Sequence, residues 1–408
     1  MIKVNILFLT IGFPENINNR NIYTDLMQEF KSEGHNVYVV TARERRNNKA
    51  TEVSLENDIN VLRVRTGNMQ KTNFIEKGIT TILIEDQFIK AIKKYFSSTK
   101  FDLVMYSTPP ITFEKVIKYI KGRDNAKSYL LLKDIFPQNA VDLGMISEQS
   151  IIYKHFRKKE VKLYTMSDYI GCMSKANVKY VLEHNTFVDK NRVEVCPNSI
   201  KPLEFNLSVE EKKSIRERYN IPLEATVFIY GGNLGKPQGV DFLMEILKAN
   251  NHRRDAYFLI VGGGTEYGKL ETFIESSNFH NVSLYPSLPK EDYDRVVQAS
   301  DVGMIFLHKD FTIPNFPSRL LTYMEFSMPV IAATDKNTDI GEVIVQGNFG
   351  YWSNSGDLEE FNMNLEVLCK DKALLQTMGT NARKYLENNY TVSKSYEIIM
   401  SHFDKWGI

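Results

Sequence analysis

Val4-Asn5-Ile6-Leu7-Phe8-Leu9-Thr10, then Gly12, then Gly34-His35-Asn36-Val37-Tyr38-Val39-Val40: these runs decide the fold. The first is almost continuously apolar, as a strand covered on both faces must be. Between the two runs Tyr23, Leu26, Met27 and Phe30 recur at helical spacing. Gly34 stands where a helix C-cap is expected. Strand, glycine turn, helix and strand in that order form a βαβ unit, which makes the sheet parallel.

The same alternation runs outward from there. Val61 to Val64, Leu103 to Tyr106, Ser128 to Leu132, Tyr169 to Met173 and Val193 to Cys196 read as strands. Helices are expected over about 80–96 and about 112–122. The pattern then restarts with a charged helix, Lys212 to Tyr219, and a strand, Thr226 to Tyr230. Gly231 to Gly235 reads as a turn, Val240 to Ala249 as a helix, and Tyr257 to Val261 as a strand ending in Gly262-Gly263-Gly264. Leu284, Val302 to Phe306 and Pro329 to Ala332 continue the series. A chain of 408 residues exceeds what one core organises. Two α/β domains are therefore expected, 1–203 and 204–384. A helical tail over about 385–408, with Tyr385, Leu386, Tyr396, Ile399 and Phe403 at core-like spacing, would brace the first domain.

The bulk numbers exclude several classes. Lys+Arg (51) and Asp+Glu (50) nearly cancel, so no global field draws the protein to nucleic acid. Cys172, Cys196 and Cys369 lie far apart without ligand spacing, and the seven His are scattered, so no metal site is expected. Unpaired cysteines, no secretory signal and no run of bilayer-crossing length give a cytoplasmic protein that at most lies on a membrane.

Two glycine turns, at Gly12-Phe13 and at Gly231-Gly232-Asn233-Leu234-Gly235, each leave a strand and lead to a helix. Such turns suit a phosphate, because the backbone approaches closely and its N–H groups point outward. They equally suit a parallel strand that only needs a tight exit. Lys236 adds a cation beside the second. In Asn315-Phe316-Pro317-Ser318-Arg319-Leu320-Leu321-Thr322-Tyr323-Met324-Glu325, a helix starting near Ser318 would aim a hydroxyl, amides and a guanidinium at a diphosphate. Glu325, about two turns on, would reach a ribose diol. The plain alternative is a helix with a solvated Arg and Glu. Around the basic stretch Tyr153 to Lys162, Lys154, Arg157, Lys158 and Lys162 share one helical side and Ile152, Phe156 and Leu163 the other. That is either a solvated face or a surface for anionic lipid heads.

Taken in order, these stretches resemble the retaining glycosyltransferases of the GT-B fold, family-four type. The likeness is strongest to bacterial enzymes that build capsule or O-antigen repeat units on a lipid carrier. It rests on the first glycine turn with Gly34-His35-Asn36-Val37, on Lys133-Asp134-Ile135-Phe136-Pro137-Gln138, and on Val195-Cys196-Pro197-Asn198-Ser199. Tyr230 to Gly239, Val261 to Gly264 and the Arg319 to Ala332 block complete it. Lys133 to Gln138 is typical of the subgroup acting on N-acetylated amino sugars, the fucosamine type included. There are departures. Pro317 stands eight positions before Glu325, where many members carry a first glutamate, and Asn233, Lys236 and Gln238 occupy a loop that usually holds Arg and Lys.

The resemblance implies two Rossmann-like domains facing a central cleft, and no cofactor or metal. It implies a UDP-sugar donor and an undecaprenyl-diphosphate-linked sugar acceptor, with retention of configuration and peripheral association with the inner membrane. Gly232, Asn233, Lys236, Gly262, Gly263, Ser287, Leu288, Ser318, Arg319, Leu320, Leu321 and Glu325 would hold the donor. Gly12, Phe13, Arg20 and Asp134 would hold the acceptor. Lys236, Arg319 and Asp134 would carry the chemistry, Asp134 as acceptor base or orienting group; a carboxylate paired with Lys133 or capping the next helix is the alternative. An epimerase of the same architecture acting on a UDP-amino sugar, and a non-catalytic nucleotide-sugar binder, remain as other readings.

Overall fold

The computed structural model describes residues 3–69, 74–205 and 207–403. The chain divides into two compact units, Met1–Lys201 with Thr391–Ile408, and Pro202–Tyr390.

The first unit is built on strands β1 (Asn5–Thr10), β2 (Asn36–Glu44), β3 (Glu52–Glu56), β4 (Ile59–Thr66), β5 (Leu103–Ser107), β6 (Lys127–Leu132), β7 (Tyr169–Cys172) and β8 (Val193–Val195). Their order in the sheet is β3-β4-β2-β1-β5-β6-β7-β8. All neighbours are parallel except β3, which returns along β4 through Asn57-Asp58. Both of those residues have positive φ, 47° and 59°, the geometry of a two-residue hairpin turn. β3 is the edge strand, alternating Glu52, Ser54 and Glu56 with Val53 and Leu55, both of which are exposed. Leaving β3 aside, winding reverses between β1 and β5. Ile6, Phe8, Val39, Met105 and Leu131 meet Leu26, Met27 and Phe30 of helix Ile22–Ser32 in one core. Asn21 starts that helix with a capping box: its side chain accepts the Thr24 N–H, and Thr24 Oγ1 accepts the Asn21 N–H.

The tail is two helices rather than one. Lys372–Asn389 ends at Tyr390, and Thr391 caps a separate helix, Val392–Met400. Only the second belongs to the first unit, where Val392, Tyr396, Ile399 and Phe403 join the core. Residues 404–408 of the expected brace lie outside the described residues.

The second unit holds β9 (Thr226–Asn233), β10 (Ala256–Gly263), β11 (Val282–Tyr285), β12 (Val302–Phe306), β13 (Val330–Thr334) and β14 (Gly350–Asn354). The order β11-β10-β9-β12-β13-β14 is parallel throughout and reverses between β9 and β12. Phe228, Phe258, Val302, Met304 and Ile331 pack against Leu243, Ile246 and Phe361. The stretch expected as a turn from Gly231 is still strand: Gly232 pairs with Gly262 and Asn233 with Gly263. A Cβ on Gly262 would lie 1.9 Å from the Gly232 carbonyl oxygen, so the two strands approach this closely only because residue 262 has no side chain.

Candidate active site

In a doubly wound sheet a ligand binds beyond the carboxyl ends of the strands where winding reverses. In the second unit that point is the end of β9 beside β12. Helix Arg319–Glu325, which follows β12, sends Arg319 back to β9. Its guanidinium carbon sits 4.3 Å from the centre of the Tyr230 ring. Its Nη2 lies 3.7 Å from the place a Cβ on Gly232 would take. Nη1 is buried and has no hydrogen-bond partner among the described residues. Nor, among those residues, does a carboxylate pair with Arg319. A cation taken out of water without a counter-charge is costly, and the ring face offsets only part of that cost.

Two more tyrosines close in around it. The Gly231 N–H donates to Tyr323 Oη (3.3 Å), which lies within reach of the carbonyls of Ile229 (3.2 Å) and Met304 (3.3 Å). The Tyr293 hydroxyl fills the space that a side chain on Gly231 would need, and burial pushes its pKa up to about 12. Neither tyrosine was marked by the sequence. They stand in separate helices and meet only through the topology.

The turn itself spends most of its amides internally. The Gly231 N–H goes to Tyr323, the Leu234 N–H to the Gly263 carbonyl (2.9 Å) and the Gly235 N–H to Gln238 Oε1 (3.1 Å). The Asn233 side chain donates to the same Gln238 oxygen (2.7 Å), and Tyr230 Oη donates to the Asn233 carbonyl (2.7 Å). What faces outward is Gly232, Asn233 and Lys236, all exposed. Gly263 stands beside Ser287, whose Oγ is 3.3 Å from a Cβ built there. Gly232, Asn233, Gly262, Gly263, Ser287 and Arg319 thus gather at one edge of the sheet, and Leu288, half-buried, follows Ser287.

Three expected donor contacts are not at that edge. Leu320 and Leu321 are core side chains, and their N–H groups bond back to Pro317 and Ser318. Glu325 is buried, with Oε1 accepting the Leu203 N–H at 3.0 Å. The reason is helical phase: six residues rotate Glu325 about 120° away from Arg319. Thr322, one turn from Arg319, shares its face and is half-buried. Ser318 is exposed and makes no cap bond with its side chain.

In the first unit winding reverses between β1 and β5, and Asp134 follows β6, next to β5. Thr108 Oγ1 receives the N–H groups of Lys133 (2.9 Å) and Asp134 (3.1 Å). Asn139 Nδ2 donates to both Asp134 oxygens. Burial raises the Asp134 carboxyl to about 6, against the lowering effect of the Ile135 N–H and Asn139. Asp134 therefore pairs with Asn139 rather than with Lys133. Lys133 turns instead to a small cavity lined by Tyr23, Leu131, Cys196, Asn198 and Ser395, where burial lowers its amine to about 8.

The other expected acceptor contacts separate. Gly12 is exposed, and its N–H is taken by Thr10 Oγ1 (3.1 Å). Phe13 is a core residue, because the turn folds its ring inward against β1. Arg20 is committed to the buried Asp25 (2.8 Å) and to the Lys201 carbonyl. On helix Ile151–Met166 the basic face is partly neutralised: Arg157 pairs with Glu160 (2.7 Å) and Lys162 with Glu114 (3.0 Å). Lys154 and Lys158 are exposed, as are Ile151 and Ile152.

Residues 211–385 match the family described as glycosyl transferases group 1. A probable glycosyltransferase of Pseudomonas aeruginosa, WbjE, is 20% identical over 80% of this chain and 80% of its own. The chain is a glycosyltransferase, and its second unit is similar to group 1. The segment matched in this transferase contains every residue gathered at the β9 edge. Its fold is GT-B. Sucrose-phosphate synthase of Thermosynechococcus elongatus shares it with a TM-score of 0.79, 15% identity and 99% coverage of both chains. So does Anabaena HepE in complex with UDP-glucose, with a TM-score of 0.69, 14% identity, 98% of this chain and 100% of that one. Among the transferase's described residues no helix is long and apolar enough to cross a membrane.

Proposed function

We propose that the transferase moves an N-acetylated amino sugar from a UDP-sugar to an undecaprenyl-diphosphate-linked sugar, with retention, in building capsule or O-antigen polysaccharide. The observation that carries the donor half is Arg319: a guanidinium without a counter-charge, at the point where winding reverses, beside an exposed glycine backbone. A diphosphate supplies the missing charge. UDP is favoured by the HepE complex, and the amino sugar and lipid carrier by the Lys133 to Gln138 run and its companions.

Charge builds on the departing diphosphate as the sugar leaves, and fixed cations there stabilise the transition state more than the bound donor. Arg319 and Lys236 take that role without a metal. Ser287 and Leu288 frame the base. Asp134, in the first unit, serves the acceptor hydroxyl, since a carboxyl near 6 is ionised yet basic at neutral pH. The protein works in the cytoplasm, at the membrane face, with Ile151, Ile152, Lys154 and Lys158 meeting the lipid.

Calorimetric titration of the full chain with UDP tests the core of this. Arg319→Ala should weaken UDP binding and turnover at least tenfold with native melting, and chelator should leave turnover unchanged. UDP affinity equal to wild type in Arg319→Ala would remove Arg319 from the donor site. Sugar conversion with donor alone would replace the transferase reading by an epimerase.

A further inference from the structure

Arg319 and the glycine turn are joined by one residue. Tyr230 is almost wholly buried; its ring lies under the guanidinium at 4.3 Å, and its hydroxyl donates to the Asn233 carbonyl at 2.7 Å. We propose that Tyr230 is a positioning residue for nucleoside-diphosphate binding: its ring holds the Arg319 guanidinium beside Gly232, and its hydroxyl fixes the turn that shares the ligand. The inference rests on the reading that Arg319 meets the diphosphate.

An arginine side chain has many rotamers, and fixing its guanidinium on a ligand costs conformational entropy. A guanidinium already held against an aromatic ring loses less. Here Nη2 is brought to the exposed backbone of Gly232, whose φ of 119° keeps any side chain out of the approach. The turn is held from both sides, by Tyr230 Oη at Asn233 and by Tyr323 Oη at the Gly231 N–H. Cation and turn are thus set relative to each other before ligand arrives. An ammonium at 319 would keep the charge but lose the planar, multi-donor fork that a guanidinium presents.

The test is calorimetric binding of UDP and of uridine to the full chain carrying Tyr230→Leu, Tyr230→Phe, Arg319→Lys, Arg319→Ala and the double change Tyr230→Leu with Arg319→Ala. Tyr230→Leu should weaken UDP about tenfold, the scale of a desolvated cation–π contact, and leave uridine unchanged. Tyr230→Phe keeps the ring and should recover most of that loss. The double variant should bind UDP no more weakly than Arg319→Ala, since Tyr230 acts through Arg319. Arg319→Lys, a change that spares the core, should lose about as much as Tyr230→Leu and keeps the test open if the leucine variant does not fold. Equal UDP affinity in Arg319→Lys and wild type overturns the inference, as does equal loss for uridine and UDP in Tyr230→Leu. Intact UDP binding in Arg319→Ala sinks the underlying donor reading instead. Weak binding there with normal binding in Tyr230→Leu sinks the positioning role alone.

Discussion

Both carboxylate oxygens of Asp134 accept from the single Nδ2 of Asn139, at 2.9 and 2.8 Å. Burial has already raised that carboxyl to about 6, and the amide opposes the rise. With Asp134 as acceptor base, kcat/KM should fall on the acid side of about pH 6. Asn139→Leu removes a donor to the charged form, so the acid limb should move up by roughly half to one unit. Stability carries the same sign. The native carboxyl keeps its proton above the usual carboxylate range, so stability is lost as pH rises from about 4 through 6. Asp134→Asn should therefore melt higher than wild type at pH 7, by the equivalent of about 1 kcal/mol given its partial exposure, and no higher at pH 4. A pH–rate profile unmoved in Asn139→Leu would end the case for Asp134 as base.

Glu325 gives the opposite kind of expectation. Its carboxylate serves the Leu203 N–H in a buried setting. Glu325→Ala leaves that donor without its partner and should cost about 1–3 kcal/mol in unfolding of the second unit. UDP affinity should stay within twofold of wild type, as titration at a temperature below the variant's melting would show. A selective loss of UDP binding with unchanged melting would return Glu325 to the site.

The difference between these residues and the sequence reading is one of phase and distance. The apolar runs from Val4 to Thr10 and from Thr226 to Tyr230 made the doubly wound sheets legible, because a strand covered on both faces has little freedom in composition. Arg319 was legible because a loop, a short helix and the strand Val330–Thr334 bracket it. Glu325 misled because proximity along a helix is not proximity on its face. Tyr230, Tyr293 and Tyr323 belong to a strand and two helices, and nothing local says that they converge. β3 was missed although Asn57-Asp58, a pair that tolerates positive φ, is a hairpin signal. The break at Tyr390 was hidden because both flanking stretches are helical in pattern.

His35 ties the last helix to the first unit. Its Nδ1 accepts the Val4 N–H (3.3 Å), so its proton sits on Nε2, against Tyr396 Oη (2.9 Å). Burial lowers its pKa, and a second proton would set two donors face to face at Val4. The unfolded chain takes up that proton near pH 6.5 while the native one resists, so this stability is present above that pH and falls as pH drops below it. Urea unfolding followed from pH 7.5 to 5.5 should show a loss of stability that is flattened in His35→Asn. An identical pH slope in the variant would assign the loss to other groups.

The close approach of β9 and β10 beneath Arg319 can be tested with two glycines. At Gly262 an added Cβ meets the Gly232 carbonyl oxygen at 1.9 Å, a rigid backbone atom that cannot swing aside. Gly262→Ala should force the strands apart, cost about 1–3 kcal/mol or more, and weaken UDP because Gly232 moves relative to the guanidinium. Gly268 lies in helix Tyr267–Ser276 with nothing within 4 Å of such a Cβ. Gly268→Ala should be neutral or stabilise by up to about 1 kcal/mol through helix propensity, with UDP affinity unchanged. Thermal melting and UDP titration of the two variants side by side separate a specific backbone contact from a general intolerance of alanine. If Gly262→Ala melts and binds like wild type, β9 and β10 do not meet this closely at Gly232, and the platform under Arg319 is looser than its contacts with Tyr230 require.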